Sequence, residues 1–303
     1  MSIEEARDDT VDPSPRTPAL LRLARPKQWS KNVLVVAAPG AAGVLLQAQP
    51  AFRTFIAFVC FCLAASATYF LNDAIDVESD RNNPRKRNRP VAAGEVSVRA
   101  AITWSIALAC AAIALCFAAR WQLVLVIGGY FVLQLSYSLW LKHEPVLDLA
   151  AVACGFVLRA IAGGVAVGVT ISPWFLIVAA AGSLFMVTGK RSAELHQVNA
   201  GVVSYRRSLA GYTEPYLRYV RSVSSSVAIL AYCLWAFEKS ATVGAQSWFE
   251  LSIVPFALGI LRYSLLLTQG DGGAPEDLVL SDRVLIGLGV AWVICFAIAV
   301  HGG

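Results

Sequence analysis

Three acids and an amide stand where an apolar stretch ends: Asn72, Asp73, Asp76 and Asp80, within Asn-Asp-Ala-Ile-Asp-Val-Glu-Ser-Asp-Arg. If a helix runs through them, Asn72, Asp76 and Asp80 fall at i, i+4 and i+8, each turned about 40° from the last on one face. Hard divalent cations take oxygen ligands, and Mg²⁺ is commonly held by one or two carboxylates together with substrate phosphates and water. Directly behind come Arg85, Lys86, Arg87 and Arg89, in Asn-Asn-Pro-Arg-Lys-Arg-Asn-Arg-Pro, and then Gly94. Alone, such a basic run would be a lipid-headgroup patch. Guanidinium forks match phosphate oxygens bidentately, so oxygen donors for a metal beside arginines describe a diphosphate site.

These residues need a scaffold, and the composition says which kind. The 303 residues are 57% hydrophobic and 15% charged, against about 25% charged in a soluble domain; the mean hydropathy is +0.61. A soluble enzyme, a disordered chain and a collagen-like repeat are excluded. The apolar residues come in continuous runs rather than in alternation, which excludes an outer-membrane barrel. Nine stretches approach the roughly 20 residues that cross a bilayer core, at 32–48, 52–72, 101–119, 121–141, 146–168, 173–190, 217–237, 248–268 and 283–301. The predicted fold is all-α, a polytopic membrane protein of nine transmembrane helices, the first kinked by Pro39, Gly40 and Gly43. Residues 1–18 read as a flexible cytoplasmic tail and 19–303 as a single membrane domain. All seven cysteines lie inside apolar runs and read as small buried hydrophobes.

The cations orient this bundle. Twenty fall in the tail or in loops on one side of the predicted spans, and three (Arg53, Arg120 and Lys239) on the other. By the positive-inside rule the N-terminus and the acidic and basic motifs face the cytoplasm, and the C-terminus lies outside the plasma membrane. Arg159 falls within the fifth span, about three turns and roughly 16 Å from Asp148 on the same face. A mid-span arginine facing lipid is costly, so Arg159 is expected to line a cavity and meet a substrate phosphate or a carboxylate. Gly163, Gly164 and Gly168 suit close helix packing, within one chain or between copies in a homo-oligomer. His143 and His196 read as ordinary polar packing, and no nucleic-acid partner is expected.

The run Asn-Asp-x-x-Asp-x-x-x-Asp-Arg, followed by Arg89-Pro90 and Gly94, resembles the first signature of the UbiA superfamily of intramembrane prenyltransferases. The resemblance implies a nine-helix bundle whose aspartate-rich segment binds a diphosphate through Mg²⁺ above a lipid-lined cavity. It marks Asn72, Asp76 and Asp80 as metal ligands and Asp73, Asp76 and Asp80 as catalytic. Members carry a second Asp-x-x-x-Asp cluster between spans six and seven. This chain departs there, with Gly189-Lys190-Arg191-Ser192-Ala193-Glu194-Leu195-His196, then Tyr205-Arg206-Arg207-Ser208 and Tyr212. A phosphate monoester brings about −1.5 to −2 charges, so this more cationic cluster suits a reaction between two phosphate-bearing substrates.

Further segments, Arg25–Asn32, Tyr137–Asp148, Gly155–Gly164, Pro275–Asp277 and Asp282–Leu285, are similar to the branch of that superfamily that transfers phosphoribose to decaprenyl phosphate for cell-wall arabinan. That branch implies 5-phosphoribosyl 1-diphosphate as donor and a polyprenyl phosphate, held between helices, as acceptor. It implies substrate contacts from Lys27, Arg85, Lys86, Arg87, Arg89, Tyr137, Lys142, Asp148, Arg159, Lys190, Arg191 and Glu194. The same fold also serves transfer of a prenyl group from a prenyl diphosphate to an aromatic or other acceptor. A transporter or flippase would spread its acids at mid-depth over several spans, whereas these gather at one surface.

Overall fold

The computed structural model describes residues 17–83, 86–199, 209, 211–243, 246–269 and 275–301. Among them all regular structure is helical: α1 Ala19–Ala24, a 3-10 helix Pro26–Val36, α2 Ala37–Ala41, α3 Ala48–Ile75, α4 Val77–Arg81, α5 Val98–Ala119, α6 Leu123–Leu139, a 3-10 turn Leu141–His143, α7 Leu147–Val167, α8 Pro173–Asn199, α9 Glu214–Val243, α10 Gln246–Leu251, α11 Ile253–Thr268, α12 Pro275–Ser281 and α13 Arg283–His301. Seven stretches are helical, long and apolar enough to cross a membrane: Ala48–Ile75, Val98–Ala119, Leu147–Val167, Pro173–His196, Glu214–Ala241, Trp248–Thr268 and Arg283–Val300. An eighth apolar helix, Leu123–Leu139, has 17 residues, or about 25 Å of rise.

The first of the nine expected spans is not a single α-helix. It is the 11-residue 3-10 helix Pro26–Val36 running into α2. At about 2.0 Å per residue the 3-10 part covers roughly 22 Å, more than the same residues would as α-helix. Its path is set by contact. At Gly163 on α7, a Cβ would lie 1.8 Å from the Val35 carbonyl oxygen and 2.9 Å from the Pro39 ring. A second small residue, Gly164, leaves room for Ile171 and Ala38. The glycine pair thus works within the chain here. The tail at residues 1–16 lies outside the described residues.

Helix ends obey local rules that matter for the site. The Ser97 hydroxyl caps α5 by accepting from the Ala100 N–H at 3.2 Å. Gly168, with φ +77°, ends α7 in the left-handed conformation. The other end of α7 is unusual: Val146, a β-branched residue, precedes it at φ 70°, ψ −49°, a conformation that persists only where its surroundings impose it.

In the core α3 packs along α5, α8 along α9, and α7 touches α3, α6, α8 and the 3-10 helix. One buried cluster, including Phe61, Ala64, Cys116, Leu123, Ile127 and Ala162, joins α3, α5, α6 and α7. An aromatic cluster of Tyr232, Trp235, Phe249, Trp292 and Phe296 ties α9, α10 and α13 at the other end of the bundle from the acids. Not all cysteines are buried as the apolar runs implied. Cys60, Cys62 and Cys116 are, whereas Cys110 and Cys154 are exposed on helix surfaces, a position that costs nothing beside lipid.

Substituting Gly163 by Ala is expected to push the 3-10 helix off α7 and to lower stability by about 2 kcal/mol or more. A thermal melt of the purified protein in detergent reads this as a fall of several degrees; an unchanged melting temperature would contradict the packing described.

Candidate active site

The acids gather at one end of the bundle, as their register implies, but the helix does not pass through them undisturbed. α3 ends at Ile75, Asp76 takes φ −86°, ψ 8°, and α4 begins at Val77. The i+4 bonding survives the break, since the Asp76 N–H donates to Asn72 O at 2.9 Å and the Asp80 N–H to Asp76 O at 2.8 Å. The side chains fan out to different partners. Asn72 Oδ1 accepts from the Ser138 hydroxyl at 2.6 Å. Asp76 pairs with Lys142 at 3.2 Å. Asp73 pairs with Arg25 at 2.6 Å and Arg89 at 3.2 Å, and Asp80 with Arg89 at 2.7 Å.

Asp73 and Asp80 are each 1% exposed. Buried carboxylates are tolerable only when paired, and Arg89, reaching both, is the shared partner. The loop at residues 86–97 delivers it. Val91 and Val96 bury with Leu23 and Phe70, the Arg81 Nε–H donates to Ala92 O at 3.2 Å, and Gly94 turns the chain at φ +80°. Asp80 Oδ1 is buried without a hydrogen-bond partner, with Lys86 Nζ at 3.6 Å. Among the described residues no three His, Cys, Asp or Glu side chains are gathered as a metal cage. The donors are nevertheless the hard oxygens that Mg²⁺ takes, and one of them is unsatisfied.

A second cluster faces this one. Arg191 on α8 is 3% exposed; its Nε–H donates to Asp148 Oδ2 at 3.0 Å, Nη1 to Glu194 at 2.6 Å and Nη2 to the Tyr137 hydroxyl at 3.5 Å. The Tyr212 hydroxyl donates to Asp148 Oδ1 and accepts from the Val146 N–H at 2.6 Å. Burial, with the Asp148 carboxylate beside it, pushes the Tyr212 phenol above its ordinary value, so at neutral pH it remains a donor. Of the cations expected in this cluster, Lys190 is exposed, whereas two carboxylates enclose Arg191.

Of the other residues singled out, Lys27 and Arg87 are exposed, and Arg85 and Tyr205–Ser208 lie outside the described residues. Arg159 meets no carboxylate among its hydrogen-bond partners. Its Nε–H donates to Asn32 Oδ1 at 2.8 Å, Nη1 to Gly155 O at 2.6 Å and Nη2 to the Tyr130 hydroxyl at 3.3 Å. The guanidinium lies over the rings of Phe61, Tyr130 and Phe156 at 5.0–5.5 Å. It binds α7 to the 3-10 helix, α3 and α6 through neutral groups and ring faces. One contributor escaped the sequence reading. Arg25, counted there as an orienting charge, sits at φ 52° between α1 and the 3-10 helix, pairs with Asp73 and stacks on Tyr69 at 4.8 Å. The proline behind it was the available signal, because Pro26 has no N–H to extend α1.

The sequence matches the UbiA prenyltransferase family over residues 33–282. It is 47% identical over 287 residues to the decaprenyl-phosphate phosphoribosyltransferase of Corynebacterium glutamicum, covering 93% of this chain and 86% of that one. To the enzyme of the same name from Mycobacterium tuberculosis H37Rv it is 44% identical over 298 residues, covering 97% and 98%. In structure it resembles a UbiA homolog from Archaeoglobus fulgidus bound to DMAPP and Mg²⁺, with TM-score 0.70, 18% identity, and coverage of 94% of this chain and 99% of that one.

Arg89→Met takes the guanidinium from buried Asp80 while Asp73 keeps Arg25, and is expected to lower stability by about 3 kcal/mol, whereas Asp80→Asn with Arg89→Met together cost less than the sum of the two alone. Chemical or thermal unfolding of the three variants measures this; strict additivity would separate Arg89 from Asp80.

Proposed function

Because this chain belongs to the UbiA prenyltransferase family, we propose that it transfers the 5-phosphoribosyl group of 5-phosphoribosyl 1-diphosphate to decaprenyl phosphate, releasing diphosphate. The observation that carries this reading is the near full-length identity to relatives named for that reaction. The geometry is consistent with it. Oxygen donors and guanidinium groups meet at one end of an apolar bundle, where a charged sugar diphosphate and the head of a long lipid could be brought together.

In this reading the bundle crosses the plasma membrane nine times. The 3-10 helix with α2 supplies the first crossing and Leu123–Leu139 another, with the acids facing the cytoplasm. Asn72, Asp76 and Asp80 would hold Mg²⁺. Bound there, the metal supplies Lewis-acid neutralisation of the negative charge on the departing diphosphate. Arg89 and Lys142 exchange their carboxylate partners for donor phosphate oxygens, the guanidinium matching fork to anion. Asp73 stays paired with Arg25 and keeps the end of α3 seated.

The reaction breaks the bond from the ribose C1 to the diphosphate oxygen and forms one from C1 to an oxygen of the lipid phosphate. That phosphate is largely ionised at neutral pH, with a second pKa near about 6. A strong general base is therefore not required, and positioning with fixed charge carries the rate. The product would feed arabinan precursor synthesis for a cell wall.

Purified protein given Mg²⁺, labelled 5-phosphoribosyl 1-diphosphate and decaprenyl phosphate is expected to yield labelled lipid and free diphosphate, and EDTA to stop it. Labelled product from a prenyl diphosphate in place of the phosphoribosyl donor would overturn the substrate assignment. Asp76→Ala, at a half-exposed position, is expected to fold and to lose about 100-fold or more in turnover; full activity in the folded variant would remove the metal assignment.

A further inference from the structure

The connector from Tyr137 to Asp148 touches both clusters of the candidate site. On one side the Ser138 hydroxyl donates to Asn72 and Lys142 pairs with Asp76. On the other, Tyr137 and Asp148 both accept from Arg191. Its turn into α7 depends on Val146 at φ 70°, strained for a β-branched residue. Val146 itself is 50% exposed, so packing of its own side chain does little to impose that conformation. Its carbonyl oxygen accepts from the Ala150 N–H at 2.9 Å, as at any helix start; from outside the connector and α7 its backbone is reached by one hydroxyl, since the Val146 N–H donates to Tyr212. The same oxygen donates to Asp148, two residues on. Tyr212 is brought there by a close approach: a Cβ on Gly211 would lie 2.3 Å from the Pro145 ring.

We propose that Tyr212 is a positioning residue for the diphosphate site, its hydroxyl clamping the strained Val146 turn so that the Tyr137–Asp148 connector holds Lys142 and Ser138 against the acids. The inference rests on the reading of those acids as a diphosphate site, and it is indifferent to which group the diphosphate carries. Tyr212 touches no substrate in this scheme. It acts through a backbone N–H and a carboxylate.

The scheme makes an unusual demand on Val146. Glycine adopts positive φ without strain, so a glycine at 146 should hold the turn even without the clamp. The experiment is equilibrium binding of inorganic diphosphate, in Mg²⁺, to the full-length protein in detergent, for wild type, Tyr212→Phe, Val146→Gly and the double variant. Tyr212→Phe keeps the ring and is expected to weaken diphosphate binding about tenfold, the size of a lost buried hydrogen-bond pair. Val146→Gly alone should bind within about threefold of wild type, and the double variant should recover to about that level.

Two results overturn the proposal: a Tyr212→Phe protein that binds diphosphate like wild type, or a loss that Val146→Gly does not repair. If Tyr212→Phe is not recovered folded, the double variant decides; its failure to fold also overturns the proposal, because relief at residue 146 should restore the turn. The phosphoribosyl assignment fails separately, in the transfer assay, and leaves this binding comparison intact.

Discussion

Buried charge governs this molecule. A chain so apolar cannot hold Asp73, Asp80, Asp148, Arg159 and Arg191 away from water unless each is answered, and the answers decide where the helices stop and how the loops close. Arg89 answers two carboxylates and so draws the loop at residues 86–97 over the end of α3. Asp148 answers Arg191 and Tyr212 and so binds α7 to α8 and to the start of α9. The charges that make this end of the bundle chemically interesting are also the ones that build it.

This double duty shapes the chemistry proposed for it. A cation already held by a carboxylate is pre-positioned for a phosphate and costs little to reorient. The carboxylate it releases is then available to a metal. Arg159 is the contrast. Its guanidinium meets an amide, a carbonyl, a phenol and three ring faces, so its charge is spread over neutral dipoles and serves to join α3, α6 and α7 to the 3-10 helix.

Much of this was legible beforehand. The helical class followed from continuous apolar runs. The common location of Asn72, Asp76 and Asp80 followed from their spacing, because i+4 bonding persisted through the break at Asp76. The break in the first apolar stretch was signalled by Pro39 and the glycines behind it, although nothing local distinguishes a 3-10 helix from an α-helix there. What separates them is the seat that Gly163 offers to the Val35 carbonyl, a contact 128 positions away in the chain. Long-range pairing hid the rest. A reader of the sequence sees Lys190 and Arg191 as twin cations, yet a helix turns neighbours about 100° apart, leaving one in solvent and the other between Asp148 and Glu194. Likewise Tyr212 bears no mark of its hydroxyl's two partners, both of which belong to another helix and its entry turn.

The claim beneath the account is that the carboxylates of α3 and α4 exchange their own cations for a metal-bound diphosphate. A structure of the protein determined with Mg²⁺ and 5-phosphoribosyl 1-diphosphate examines this directly. The account predicts diphosphate density against Asp76 and Asp80, with the Arg89 guanidinium turned from Asp80 onto phosphate oxygens. Diphosphate seated elsewhere, with the Arg89–Asp80 and Lys142–Asp76 pairs intact, would contradict it.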